Sequence, residues 1–466
     1  MYHSLTPRSG RRLAPALFLA AAVAAPALAD SGNQLTLPDS SGLVRTYTTE
    51  PTLDTTGAFF QSLGSNGRSC NTCHRAEDAW SITPAHVQAR FFASAGTDPI
   101  FRNNDGSNAP NADVGSVVAR WRAYSMLLTK GLIRVGMGVP ATAEFTLAAV
   151  DDPYHYANAS DLSLFRRPLP STNLRFLSAV MWDGRETHAA FHPPMDAGVD
   201  HDDLMQSFSQ QAIDATLGHA QAGAAPTAAQ VQQIVQFEMG LYTAQVFDFS
   251  AGYLNDNDAL GGPRALANQL FHVGVNDVLG ADPTGDAFRP KTITLYDAWT
   301  DQYGPTSQSA RAAIARGQQL FNTKPIAITG VGGLNDALGM PVISGTCTTC
   351  HDSPNVGNHS VGLPIDIGLT EAARRTADMP LYTLRNNATG ATRQTTDPGL
   401  ALRTGRWADI GKFKGAVLRG LAARAPYFHN GMAATLGDAV DFYNTRFAIG
   451  LTKQEKADLV AFLNAL

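Results

Sequence analysis

Cysteine is scarce in this chain of 466 residues: there are four, and their placement leaves none for a structural disulfide. They stand as Cys70 and Cys73 followed by His74, and as Cys347 and Cys350 followed by His351. Long apolar runs are equally rare. After Val23 no stretch approaches the roughly 20 apolar residues of a spanning helix, so no membrane span is expected. No basic stripe is present either, and 35 Lys and Arg against 40 Asp and Glu leave a formal net charge of −5, which gives no footing for nucleic acid. Mild acidity is the ordinary solubility charge of an exported protein, and it also suits a basic partner such as a small electron carrier. Strand-like alternation is sparse, while Gly and Pro clusters mark long loops around 96–114, 193–203 and 326–345. The expected class is therefore mainly α.

Residues 1–29 carry Arg8, Arg11 and Arg12, then an apolar run from Leu13 to Val23, then Ala27-Leu28-Ala29. That order reads as a secretory signal peptide removed on export, which places the mature chain in the periplasm. An apolar content of 44% over this length supports two domains, expected at 30–300 and 301–466 with insertions in the first.

The two cysteine motifs need one explanation for both copies. Two short-loop disulfides, a dithiol redox pair or a zinc site are the alternatives in an exported protein. Zinc needs further soft ligands, and a redox pair gives no reason for a histidine after the second cysteine, twice. Covalent haem c accounts for every element: the thiols add across the two porphyrin vinyl groups, and the adjacent imidazole becomes the proximal iron ligand. Two covalently bound haems are expected, on His74 and His351. Each motif follows a similar phrase, Gly57-Ala58-Phe59-Phe60 in one case and Gly317 to Phe321 in the other, which suggests a repeated unit. Strong helix formers over 308–321 predict a helix into the second motif. Thr227 with Gln230, and Thr452 with Glu455, are capping patterns that open further helices, the last with an apolar stripe of Leu459, Phe462, Leu463 and Leu466.

Three further stretches make the chain resemble the bacterial di-haem cytochrome c peroxidases and their relative MauG. They are Arg167 to Leu174 running on to Met181-Trp182-Asp183-Gly184-Arg185, Gly411-Lys412-Phe413-Lys414 with Leu418-Arg419, and Ala425-Pro426-Tyr427-Phe428-His429-Asn430-Gly431 with Ala434-Thr435-Leu436. The resemblance implies two cytochrome c-like haem domains, peroxide chemistry at the first haem, and Trp182 between the haems as an electron or hole relay; a packed core indole is the bland reading of Trp182. Counting on from His429 to the family's axial position lands on Tyr443, where the peroxidases have methionine and MauG has tyrosine. A phenolate favours ferric and higher states, and Met432 is the competing ligand. After the Gln211-Ala212 pair, the family's distal glutamate position falls on Gln221. Glutamine cannot shuttle a proton, so His219 becomes the candidate acid and base, with Gln221 a hydrogen-bond donor; capping or solvating a surface loop is the plain alternative for His219. His86 is better read as solvated at a helix start than as an iron ligand. The resemblance also implies a calcium ion near the domain interface, held by the backbone oxygens of Arg424 and Pro426 and the side chain of Asn173.

The expected function is a periplasmic di-haem oxidoreductase that uses hydrogen peroxide and oxidises a redox protein partner, either a cytochrome c or a substrate protein as in MauG. A non-catalytic di-haem electron-transfer cytochrome is the competing class. Protein matured in a host competent for cytochrome assembly is expected to weigh two porphyrins more than its polypeptide by mass spectrometry. A bare polypeptide mass would remove the premise.

Overall fold

The structure is a computed structural model that describes residues 32–187, 201–300 and 306–466. The expected leader at 1–29 lies outside the described residues, and the expected boundary at 300 borders on 301–305, which lie outside them as well. Among the described residues no helix is long and apolar enough to cross a membrane.

The mainly α expectation is overturned. The chain is 30% helical and 17% strand, and the strands of the described residues form four sheets, of four, three, two and two strands. Every pairing is antiparallel. The strands are short, and two of the pairings join segments far apart in the chain. Gly42–Thr48 pairs with Leu241–Asp248, and Phe145–Asp151 pairs with Leu381–Asn386. Leu162–Arg166 is buried at every position and so shows no alternation at all. A local pattern reading fails on such strands because packing against a distant partner, rather than intrinsic preference, makes them strands.

The helices stand where their caps place them. Ala228–Met239 opens with Thr227 accepting from the Gln230 amide and Gln230 Oε1 accepting from the Thr227 amide at 2.9 Å. Lys453–Asn464 opens in the same way through Thr452 and Glu455. This last helix crosses Thr306–Thr323 closely: a Cβ on Gly317 would lie 2.0 Å from the Asp458 carbonyl oxygen, so only glycine permits the approach. Around that crossing Tyr296, Trp299, Phe321, Val440, Leu459 and Phe462 form one apolar cluster, which also takes in Ala251, Leu254 and Ala259. A second cluster joins Phe59, Trp80, Leu174, Phe208, Ile234 and Leu241 around the first motif. The two halves are stitched together: the Leu466 carbonyl accepts from the amides of Gln245 and Gly420.

Between them lies a buried ion triad. Arg166 is bidentate on Asp397, at 2.7 and 2.9 Å, and reaches Asp183 at 2.6 Å. The triad anchors the Trp182-Asp183-Gly184-Arg185 phrase to the strand Leu162–Arg166 and to Asp397. Burial alone would raise the Asp183 carboxyl; the charges of Arg166 and Arg185 more than offset it and hold it at about 2. Removing one partner of such a buried set strands the others. Arg166→Met is expected to destabilise the fold by about 3–5 kcal/mol, read by denaturant unfolding. Because the Asp183 value is depressed in the folded state, its stabilisation is present above the usual carboxylate range and is lost as pH falls toward 2; in Asp183→Asn that part of the acid dependence should vanish.

Candidate functional site

Each motif is a single tight turn, built identically. In the first, Cys70–Thr72 forms a 3-10 turn, the amides of Cys73 and His74 both bond to the Cys70 carbonyl, and Thr72 Oγ1 accepts from the Ser69 amide at 3.0 Å. In the second, Cys347–Thr349 repeats the turn, the amides of Cys350 and His351 bond to the Cys347 carbonyl, and Thr349 Oγ1 accepts from the Thr346 amide at 3.0 Å. The threonine before the second cysteine is thus part of the repeat.

The histidines match as well. His74 Nδ1 meets the Trp80 carbonyl at 3.1 Å, and His351 Nδ1 meets the Gly357 carbonyl at 2.6 Å, each six residues downstream. A carbonyl can only accept, so Nδ1 carries the hydrogen and Nε2 keeps its lone pair, the tautomer that a metal-ligating imidazole needs. Behind His351, Asp352 accepts from His359 Nδ1 at 2.8 Å and from the Ser360 amide at 2.6 Å, which secures the turn that carries Gly357. All four cysteines are free. Burial pushes the Cys347 and Cys350 thiols up to about 12 and the Cys70 and Cys73 thiols above their ordinary value. A reactive dithiol needs the opposite shift.

Cys70, Cys73 and His74 border a cleft, open on one side, with an apolar wall that includes Leu174, Leu177, Val180, Phe208 and Ile234. Its apolar lining and the Nε2 lone pair suit a porphyrin held at this motif. At its mouth the His219 imidazole, 42% exposed, bonds through Nδ1 to Asp105, which also pairs with Arg68. Asp105 is buried, which alone would raise its carboxyl; His219 and Arg68 hold it below the ordinary value instead. An ionised carboxylate only accepts, so His219 Nδ1 carries the hydrogen and Nε2 is left to exchange a proton. The His219 carbonyl accepts from Asn66 Nδ2 at 2.8 Å, which pins the loop after the helix His201–Gly218.

Gln221 is not brought to this cavity. It is exposed, and its Oε1 accepts from Asn66 at 3.3 Å, whereas Gln211 borders the cavity. Two further wall residues escaped the sequence reading. Glu238, 5% exposed, is pushed up to about 7 by burial, a shift that Ser171 only partly counters. Lys414 is brought down to about 7 by burial and donates to the Ala179 carbonyl at 2.8 Å. Glu238 and Asp105 stand at no motif spacing, Asp105 lying 114 residues from His219, and the Gly411-Lys412-Phe413-Lys414 stretch gave Lys414 no place in this wall.

The second motif faces a phenol. The Tyr443 ring lies 6.5 Å from the His351 ring at 74°, on the helix Leu436–Arg446, and burial together with Cys350 and Cys347 raises its hydroxyl. Met432 sits in the preceding loop, its amide on Asn430 Oδ1. Trp182 is half-buried, donates from Nε1 to the Arg167 carbonyl at 2.8 Å and packs edge-on against His429 at 6.1 Å. His429 stacks on Phe413 at 3.9 Å, and the neighbouring Phe428 lies 6.0 Å from Tyr443. Trp182 thus meets His429, and the next residue back, Phe428, meets Tyr443. Met181, beside Trp182, borders the first cavity. His86 is 47% exposed and bonds to Asp78 at 2.7 Å, away from the cavity.

The calcium donors fit poorly. Asn173 already accepts from the Thr243 amide at 3.0 Å and donates to the Thr243 carbonyl at 2.9 Å. The Arg424 carbonyl accepts from the Arg167 guanidinium at 3.0 Å, so a cationic group already stands at the oxygen a metal ion would take. Pro426 is buried in the same turn.

No family model matches the chain. Among curated proteins it is similar to the cytochrome-c peroxidase IdrP2 of Denitromonas iodatirespirans, 34% identical over 132 residues, 26% of this chain and 36% of the relative. IdrP1 of the same organism is 34% identical over 136 residues, with the same shares. IdrP1 of Pseudomonas sp. (strain SCT) is 31% identical over 253 residues, 47% of this chain and 66% of the relative. The chain thus spans about a third of two of these relatives and just under two thirds of the other. Among solved structures, a MauG-like protein associated with microbial copper homeostasis aligns over 88% of this chain and 85% of its own at 16% identity, with a TM-score of 0.39. A variant of the diheme peroxidase BthA from Burkholderia thailandensis aligns over 89% and 86% at 16% identity, with a TM-score of 0.30. Over the matched segments the chain is similar to bacterial di-haem cytochrome c peroxidases, a likeness that implies haem c as the cofactor.

Proposed function

We propose that this chain is an exported di-haem peroxidase in which hydrogen peroxide reacts in the cavity beside His74 and a protein partner supplies the electrons. The observation that carries the reading is an asymmetry between two motifs of identical build. One opens on a cavity with an acid–base pair at its mouth, and the other is faced by a phenol. Iron porphyrin, when bound, supplies the redox-active metal and a conjugated ring able to store oxidising equivalents.

The residues of the chain then have separate tasks. His219 takes a proton at Nε2 from one peroxide oxygen and returns it to the other, so that the O–O bond breaks with the departing oxygen leaving as water. Asp105 stays ionised, orients the imidazole and stabilises it while it is charged, and Arg68 holds Asp105 in place. Glu238 keeps a proton in the wall near neutral pH. Trp182, with His429 beside it, relays electrons inward from the second centre along the ring contacts that end at Tyr443. Two electrons and two protons complete the reduction of peroxide to two waters.

In this reading His351 and Tyr443 are the side chains that would hold the metal of a porphyrin bound at the second motif. An anionic oxygen ligand favours ferric and higher states, which suits oxidation of a partner protein's side chain better than electron collection from a carrier cytochrome. The basic start and apolar run at 1–29 support export to the periplasm.

Ferric protein examined by electron paramagnetic resonance is expected to show a high-spin signal from an open first centre; two low-spin signals alone would favour the non-catalytic electron carrier. In stopped-flow mixing with peroxide, His219→Gln should slow the reaction by about 10²–10⁴-fold, while Gln221→Ala leaves it unchanged. Fast turnover of reduced cytochrome c under peroxide would select the carrier-coupled reaction over oxidation of a protein side chain.

A further inference from the structure

A second pocket, with about 360 Å³ of empty space, adjoins the cavity of the first motif and shares Leu169, Pro170, Leu174, Leu177 and Lys414 with it. Its polar character is one-sided. Lys414, Arg419 and Arg424 line it, and no carboxylate among the described residues does. The Nε atoms of Arg419 and Arg424 are buried with no hydrogen-bond partner in the structure. The remaining donors reach only backbone carbonyls: Arg419 to Asn355 at 2.9 Å, Arg424 to Val417, and Lys414 to Ala179 at 2.8 Å. Burial brings Lys414 to about 7 and both arginines to about 10; the charge of Asp183 only partly offsets it at the lysine.

Three basic side chains gathered around one pocket whose lining has no carboxylate leave their charged forms desolvated and poorly paired. An anion of matching shape supplies the missing pairing. A porphyrin linked through its vinyl groups carries its two carboxylates on the other side of the ring, away from the thioether bonds. Neither Cys70 nor Cys73 borders the basic pocket, whereas the leucines of the cavity wall border both spaces.

We propose that Lys414, Arg419 and Arg424 form the socket for the two carboxylates of the porphyrin attached at Cys70 and Cys73. The assignment rests on the haem reading above. It also accounts for the poor fit of calcium, since the seam beside Asn173 and Arg424 already holds its positive charge as guanidinium and ammonium groups. Carboxylates there pair with planar Arg donors and with the lysine as charge-assisted hydrogen bonds.

The test uses holoprotein whose content of two porphyrins per chain is first established by mass spectrometry. Resonance Raman spectra report the bending modes of porphyrin carboxylates, and potentiometry reports the midpoint potential of the high-spin centre. Lys414→Gln and Arg424→Gln should each move the carboxylate bands of one porphyrin and shift the ferrous-to-ferric ratio at fixed potential about tenfold toward ferric, about 59 mV for one electron. Lys414→Arg should restore both readouts. Unchanged bands and potential in both glutamine variants, with both porphyrins attached, would overturn the socket while leaving the haem reading intact. Chains without added porphyrin would instead overturn the underlying reading and the socket with it. Should the glutamine variants fail to fold, the unaltered protein decides: bands that remain in the ionised form as pH falls through the usual carboxylate range support the socket, and bands that protonate within that range overturn it.

Discussion

The hydrogen bond from each motif imidazole to a backbone carbonyl six residues on is the constraint from which the two sites follow. It selects the tautomer, fixes the plane of the ring and ties the cysteine turn to the loop behind it. A backbone carbonyl provides it, so the residue at the receiving position is free to differ, Trp80 in one copy and Gly357 in the other. The loops that carry those carbonyls are secured in turn, by the aromatic cluster of Phe59, Phe60, Trp80 and Phe237 around the first motif and by Asp352 and His359 behind the second. Two copies of one local device thus sit in unlike surroundings.

Those surroundings separate the roles. Around His74 the wall is apolar, but it is interrupted by His219 and by Glu238 and Lys414, the last two brought by burial to about 7. Around His351 the facing group is the Tyr443 phenol, packed among Phe428, Phe442 and Phe447. The triad of Arg166, Asp183 and Asp397 anchors the segment that carries Trp182, whose ring meets His429. A phrase of four residues that looks like a single motif is therefore two devices: Asp183 anchors, and Trp182 makes the contact.

Local chemistry made part of this legible in advance. The cysteine and histidine spacing picked out two turns of the same build, and the capping pairs at Thr227 and Thr452 opened helices at those positions, because such signals act over three or four residues. The sheets were missed for the opposite reason. Phe145–Asp151 becomes a strand by pairing with Leu381–Asn386, and nothing within either segment announces the other. Gln221 was placed at the cavity by counting along the chain from Gln211, but the helix ends at Gly218 and the residue turns outward with a positive φ of 53°. Asp105, the partner that gives His219 its orientation, could not be found from spacing at all.

The sequence by itself determined which thiols and which imidazoles stand together, because those groups are neighbours in the chain and a single turn suffices to align them. Only the tertiary structure decided which motif has an open, proton-handling cavity and where positive charge gathers beside it. Those properties belong to residues from distant segments, and their protonation is set by burial and by neighbours that no linear spacing records.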